Sequence, residues 1–229
     1  MYKYLFWDVD GTVLDFLAAE SCAIKALFKK YELGECTDEM IEVYSKINSK
    51  YWGFLEKNKM TKSEILVGRF LEFFDLFGID RDLAETFNKD YQEELGEYIV
   101  FVKDAEEVLL DEKGKYMLVA VTNGTKVAQK KKLSRSGLDK VFDAVFISED
   151  VGFEKPNIEY FEYIFEKLNI EDKKEVLIIG DSLTSDMKGG VLAGIDTCWY
   201  NPLHKPNNLD INITYEIDEL VKLKEILSL

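Results

Sequence analysis

Positive charge, histidine, cysteine and long apolar runs are all scarce in this 229-residue chain. Lys and Arg together number 29 against 44 Asp and Glu, for a net charge of −15. A field of that sign repels a nucleic-acid backbone, so nucleic-acid polymers are poor partners, and a small anion is admissible only where its site carries its own cation. Cys22, Cys36 and Cys198 are odd in number, far apart and without a CxxC pair, which argues against a disulfide framework or a zinc site and suits a reducing compartment. No apolar run is long enough to span a bilayer, and the opening Met-Tyr-Lys-Tyr-Leu-Phe-Trp meets Asp8 before a signal-peptide apolar region can form. The expectation is a soluble cytoplasmic protein with no membrane partner. Its oligomeric state is not encoded in any of these features.

Apolar residues make up 47% of the chain and aromatics 13%, enough to exclude disorder and build a full core. Short apolar runs with strand propensity occur at Tyr4–Trp7, Met117–Val121, Val145–Ile147, Val176–Ile179 and Thr197–Tyr200. Helical patterns lie between and after them, at Ala105–Lys113, Val127–Ser136, Ile158–Leu168, Asp186–Ala193 and Ile217–Leu227. Buried strands alternating with amphipathic helices predict an α/β fold with a parallel sheet covered on both faces.

Residues 16–97 read differently. They show no strand-like run and helical patterns at Ala18–Tyr31, Asp38–Glu56, Thr61–Phe77 and Arg81–Leu95, the third opened by the capping box Thr61-Lys62-Ser63-Glu64. The block is too large for a crossover and is expected to be an inserted all-helical domain, with residues 1–15 and 98–229 forming the α/β core.

Four polar segments fall at or near strand ends, where ligands bind in parallel sheets. They are Asp8-Val9-Asp10-Gly11-Thr12, Thr122-Asn123-Gly124, Glu154-Lys155-Pro156, and Gly180-Asp181-Ser182 followed by Asp186. Asp8 and Asp10 are two apart and leave an extended chain on one side. With Asp181 beside them, their mutual repulsion calls for a hard divalent cation, and Mg²⁺ is the usual ion for phosphate chemistry. Such a cation also lets an anionic carboxylate approach a phosphate, so that Asp8 can attack phosphorus in line. Thr122 and the Asn123-Gly124 turn offer donors to an anion, and Lys155 offers a full positive charge. Gly11 lets the chain turn sharply, with Thr12 following it. Asp10, when protonated, can donate to the leaving oxygen and later accept a proton from water. Singly, each segment is as easily a turn, a helix cap or a solvated loop; the order and placement of all four carry the reading.

These four segments are the ones that define the haloacid-dehalogenase-like (HAD) hydrolase superfamily, which the chain resembles along its whole length. The resemblance implies a Rossmann-like core with a mobile helical cap. It implies Asp8 as nucleophile and metal ligand, Asp10 as general acid/base and metal ligand through its backbone carbonyl, and Asp181 as the further metal ligand. Thr122, Asn123 and Lys155 would hold the phosphoryl group, with Asp186 in support. Metal-free haloacid dehalogenases lack the second aspartate of the first motif, and β-type sugar phosphomutases need a cap histidine, whereas the single histidine here is His204. Ser148–Gly152 leading into Lys155-Pro156-Asn157, together with Thr197–Asn201 and Gly68-Arg69-Phe70, resembles the bacterial pyrimidine 5′-nucleotidase group. The expected partner is therefore a small phosphorylated metabolite, first a nucleoside 5′-monophosphate. Arg69 is the candidate cap contact, or else the partner of Glu72 or Asp75. Trp52 or Phe70 is a candidate stacking surface, but Phe70, Phe73, Phe74 and Phe77 lie at helical spacing and read first as cap core, and Trp52 as core or interface. The alternatives are a sugar-phosphate or phosphoglycolate-type phosphatase and a non-catalytic module on the same fold.

Overall fold

The computed structural model describes residues 1–228. Six strands form one parallel sheet: β1 (Tyr4–Trp7), β2 (Met117–Thr122), β3 (Ala144–Ile147), β4 (Val176–Gly180), β5 (Asp196–Tyr200) and β6 (Tyr215–Ile217), in the order β3-β2-β1-β4-β5-β6. β1 lies between β2 and β4, with Leu5, Phe6 and Trp7 fully buried. Alternate residues of a strand face opposite sides of the sheet. Leu5 and Trp7 accordingly join one apolar cluster with Val108 and Leu109, and Phe6 joins another with Tyr160, Phe161 and Ile164. Burying a side chain such as Leu5 or Phe6 contributes about 1.5–3 kcal/mol, so a sheet covered on both faces is what these continuous apolar runs favour.

Four helices fall within residues 16–97, after β1: α1 (Phe16–Lys30), α2 (Asp38–Glu56), α3 (Lys62–Phe77) and α4 (Ala84–Leu95). The remaining helices are α5 (Ala105–Glu112), α6 (Lys126–Ser136), the single turn α7 (Ser148–Val151), α8 (Ile158–Leu168), α9 (Lys188–Ala193) and α10 (Leu223–Leu227). Helices α1 to α4 share their own core, in which Phe28, Tyr44, Phe70, Phe73, Phe74, Phe87 and Tyr91 are buried together. Their ends are set locally. Asp15 caps α1 by accepting from the Ala18 N–H at 3.0 Å. Thr61 and Glu64 cap α3 reciprocally, as the sequence predicts, and Gly78 ends it in the left-handed conformation. The chain enters and leaves this helical block on adjacent segments, with the Asp15 N–H bonded to the Val100 carbonyl at 2.8 Å and the Val102 N–H to the Val13 carbonyl at 3.0 Å.

Three sequence expectations need correction. The pattern at Ile217–Leu227 is not one helix. Tyr215–Ile217 forms the edge strand β6, paired with Cys198–Tyr200 of β5, and α10 begins only at Leu223. Ile217, Leu220 and Leu223 are spaced in threes and all buried, so they imitate a helical stripe while belonging to a strand, a tight turn and a helix. Phe77, read with the cap core, is 38% exposed at the end of α3. The helical winding before α9 also starts earlier than Asp186, with a π-helical turn at Leu183–Met187 capped by Ser182.

Candidate active site

The strand order places a crevice beyond the carboxyl ends of β1 and β4, because the connections from these strands run to opposite sides of the sheet. Asp8 follows β1 and Asp181 follows β4, so topology alone brings these carboxylates together. A cavity of about 480 Å³ opens there, with Asp8, Asp10, Thr122, Lys155, Asp181 and Asp186 on its core side. One face of α2 forms much of the opposite side: Ser45, Asn48, Ser49, Trp52 and Glu56 recur at helical spacing above the acidic groups.

Lys155 organises the floor. Its buried Nζ donates to Asp8 Oδ1 at 2.8 Å, to Asp186 Oδ1 at 2.7 Å and to the Val121 carbonyl at 2.6 Å. Burial pushes this ammonium toward neutrality, but the Asp186 and Asp8 carboxylates outweigh it and hold the lysine well above its ordinary value. Thr12 donates to the other Asp8 oxygen at 3.3 Å, leaving Asp8 fixed at both ends. Asn123 also lines the cavity, with its side chain bonded to the neighbouring loop. Its amide bridges the backbone of Lys155, accepting from the Lys155 N–H at 2.8 Å and donating to the Lys155 carbonyl at 2.8 Å. The expected anion contact is thus, for this side chain, a strap that locates the lysine. Thr122 Oγ1 accepts from the Gly124 N–H at 3.0 Å and shapes the adjoining turn.

Carboxylate oxygens of Asp8, Asp181 and Asp186 lie within 4.8 Å of one another. Lys155, with Lys205 acting on Asp181 from farther off, faces three carboxylates, so the cluster is under-neutralised. Burial raises the Asp8 carboxyl well above the ordinary range; Lys155 pulls it back, while Asp186 and Asp181 push it further up. Burial, then repulsion from Asp186, raises Asp181 to about 7. Hard oxygen donors with uncompensated negative charge suit a divalent cation such as Mg²⁺. Gly11 permits the close approach: its φ is +97°, and a Cβ at this position would lie 2.8 Å from Asp181 Oδ2.

Asp10 stands apart from this cluster. Its Oδ1 accepts from Lys132 Nζ at 2.5 Å and its Oδ2 from Gln129 Nε2 at 2.5 Å, both donors being buried on α6. The Gln129 side chain reaches Asp10 across Gly124, where a Cβ would sit 2.1 Å from Gln129 Nε2. Neither Gln129 nor Lys132 is apparent from sequence, since Lys132 ends a Lys130-Lys131-Lys132 run that reads as a solvated face.

A second lysine comes from the helical block. Lys62, at the start of α3, donates to Ser148 Oγ at 2.9 Å and to the Gly124 carbonyl at 3.3 Å, tying α3 to the Thr122-Asn123-Gly124 turn. Burial lowers its pKa, with Glu149 opposing.

Arg69 does not line the cavity, contrary to its expected role. It is 2% exposed and donates to Asn48 Oδ1 at 2.7 Å, Asn88 Oδ1 at 3.2 Å and the Leu66 carbonyl at 3.2 Å. Glu72 and Asp75, its anticipated ion-pair partners, are bound by Lys50 and Arg81 instead. The signal was available: Ile65, Arg69 and Phe73 share one helical stripe, and its flanking members are fully buried. Phe70 is likewise buried, while Trp52 remains on the cavity wall. The groups that do reach the cavity behind α2 include Glu20, which accepts from Ser45 and from Asn48 Nδ2 at 2.7 Å. Burial raises the Glu20 pKa, and the bonds from Ser45 and Asn48 counter it.

Comparison with known proteins agrees with this geometry. The family model for haloacid dehalogenase-like hydrolases matches residues 5–200. The HAD-hydrolase YfnB of Bacillus subtilis (strain 168) is 41% identical over 228 residues, covering 100% of this chain and 96% of that protein. A crystal structure of YfnB bound to magnesium superposes with a TM-score of 0.94, covering 100% of this chain and 99% of that one. The pyrimidine 5′-nucleotidase PynA of Streptococcus pneumoniae (strain ATCC BAA-255 / R6) is 37% identical over 94% of this chain and 91% of its own length. The pyrimidine 5′-nucleotidase YjjG of Escherichia coli (strain K12) is 28% identical over 99% and 98%.

Proposed function

Because the chain belongs to the haloacid dehalogenase-like hydrolase family, we propose that it is a Mg²⁺-dependent phosphomonoester hydrolase that uses Asp8 as nucleophile and a nucleoside 5′-monophosphate, of pyrimidine type, as substrate. The observation that carries this reading is the Asp8 carboxylate, held by Lys155 and Thr12 at the floor of a cavity beside two further carboxylates.

Asp8, Asp181 and the Asp10 backbone carbonyl would hold the cation, with Asp186 beside them. Bound there, Mg²⁺ supplies charge neutralisation for the incoming phosphate and for the Asp8 carboxylate. In the first step an Asp8 carboxylate oxygen attacks phosphorus, the bond from phosphorus to the ester oxygen breaks, and Asp10 gives its proton to that oxygen. In the second, water attacks the phosphorus of the aspartyl-phosphate and passes a proton to Asp10, releasing inorganic phosphate and restoring Asp8. Lys155 meets the negative charge on the phosphoryl oxygens, and Asn123 keeps the lysine in place. The helical cap, residues 16–97, excludes bulk water from both steps.

The nucleotide preference draws its support from full-length likeness to PynA and YjjG and from a cap wall carrying Trp52 with several polar groups. A phosphate-release screen with Mg²⁺ tests it. Uridine and cytidine 5′-monophosphates are expected to give higher kcat/KM than sugar phosphates or phosphoglycolate, and the reverse order would refute the nucleotidase assignment while leaving the phosphatase chemistry intact.

A further inference from the structure

Behind the cap wall runs a chain of buried polar side chains whose hydrogen-bond polarity is fixed by one residue. Arg69 can only donate. Asn48 must therefore turn Oδ1 toward Arg69 Nη1, at 2.7 Å, and turn Nδ2 toward Glu20 Oε2, at 2.7 Å. The second Nη of Arg69 fixes Asn88 in the same way at 3.2 Å, and Asn88 Oδ1 also accepts from Gln92 Nε2 at 3.1 Å. Gln92 Oε1 then accepts from the Thr125 hydroxyl at 2.7 Å. Thr125 caps α6, directly after the Thr122-Asn123-Gly124 turn. The network thus runs from the cap wall of the cavity to the start of a core helix.

At the cavity end, this polarity determines what a ligand meets. One hydrogen of Asn48 Nδ2 is used on Glu20, and its second remains available. The Ser45 hydroxyl spends its proton on Glu20, so Oγ has only lone pairs left to offer. Beside Glu20, Ser49 and Glu56 on this wall, the Asn48–Ser45 pair therefore presents one donor and one acceptor a helical turn apart on α2, with the flat side chains of Phe16 and Trp52 lining the same cavity. A pyrimidine edge carries the complementary pair: a ring nitrogen or carbonyl that accepts, next to an N–H that donates.

We propose that Asn48 and Ser45 read the base edge of the nucleotide, and that Arg69 is the positioning residue that sets the direction of that reading without touching substrate. The inference rests on the nucleotidase reading above and deepens it. Reversal of the Asn48 amide would put two acceptors on the wall, and neither base edge would then fit.

The test is the ratio of kcat/KM for uridine and cytidine 5′-monophosphates to that for ribose 5-phosphate, which keeps the phosphate and sugar and lacks the base. Asn48→Ala and Ser45→Ala are each expected to lower this ratio by about 5–100-fold, the effect of losing one buried hydrogen bond. Arg69→Met is expected to lower it similarly, and the Asn48→Ala/Arg69→Met double variant to lower it no further than either alone, since Arg69 acts through Asn48. Should Arg69→Met fail to fold, the two α2 variants still decide the base-reading claim. A wild-type ratio near one would refute the nucleotidase reading and this inference with it. A high wild-type ratio unchanged in both α2 variants would overturn the inference alone. Additive losses in the double variant would overturn the role given to Arg69.

Discussion

Lys132 Nζ lies 2.5 Å from Asp10 Oδ1 in a position where the lysine side chain is only 2% exposed and Asp10 is 20% exposed. Among the described residues the buried ammonium has no other carboxylate in contact, and it otherwise faces the Phe16 ring at 5.1 Å. With Gln129 on the second oxygen, the carboxylate is pinned to α6 at the cavity wall.

Lys132→Met is therefore expected to loosen Asp10, the group proposed to transfer the proton, without removing it. Its kcat for a nucleoside monophosphate should fall about 10–100-fold, less than the roughly 10²–10⁴-fold attributable to general acid/base catalysis, which Asp10→Asn removes outright. Steady-state kinetics on the two variants check the order. A Lys132→Met enzyme as impaired as Asp10→Asn, or unimpaired, would contradict the anchoring role.

The acidic cluster predicts how metal and pH act on stability. Asp8 and Asp181 have raised pKa values in the metal-free fold, Asp181 to about 7. A raised carboxyl favours its protonated form in the folded state, so its stabilising contribution is complete below the ordinary carboxyl pKa near 4 and is lost as pH rises toward about 7. A cation needs both groups ionised, and its binding releases protons. The Tm in EDTA should fall between pH 5.5 and pH 8, and the gain in Tm from saturating Mg²⁺ should grow over the same interval. Thermal scans at the two pH values measure both; a gain independent of pH would contradict the assignment.

Lys62 joins the start of α3 to the Thr122-Asn123-Gly124 turn through Ser148 and the Gly124 carbonyl. Lys62→Met leaves that half-buried carbonyl with one partner fewer, at a cost of about 0.5–1.5 kcal/mol. Hydrogen exchange should quicken in the first turn of α3 while β1 and β4 remain protected, and kcat/KM should drop by about tenfold. Unchanged exchange in α3 would show that the contact does not hold the cap.

The legible parts of this protein are those encoded by neighbouring residues. Asp8, Asp10 and Gly11 sit in one turn, Asp181 and Asp186 in another, and each follows an apolar strand whose burial the sequence announces. The parallel order then brings these turns together, as the alternation of strands and helices implies. What was missed depends on partners far apart in the chain. Asp10 meets Gln129 and Lys132 across more than a hundred residues, and Glu20 meets Asn48 across 28. Periodicity marks such polar side chains as surface, because it does not register that two of them satisfy each other in the interior. Arg69 was the converse error, since its charge suggested a ligand contact while its place in the Ile65-Phe73 stripe put it inside the cap. β6 was hidden because three residues at a sheet edge are too few to show a period of two against a following helix.

In the proposed mechanism Asp8 becomes covalently phosphorylated. Enzyme mixed with ³²P-labelled uridine 5′-monophosphate and Mg²⁺, then quenched in acid during the first turnovers, allows the labelled peptide to be isolated and sequenced. Label is expected on the peptide containing Asp8 in wild type, with both its appearance and its loss slowed in Asp10→Asn, and neither label nor turnover is expected in Asp8→Asn. Undiminished turnover in Asp8→Asn, or label on any other residue, would contradict that mechanism.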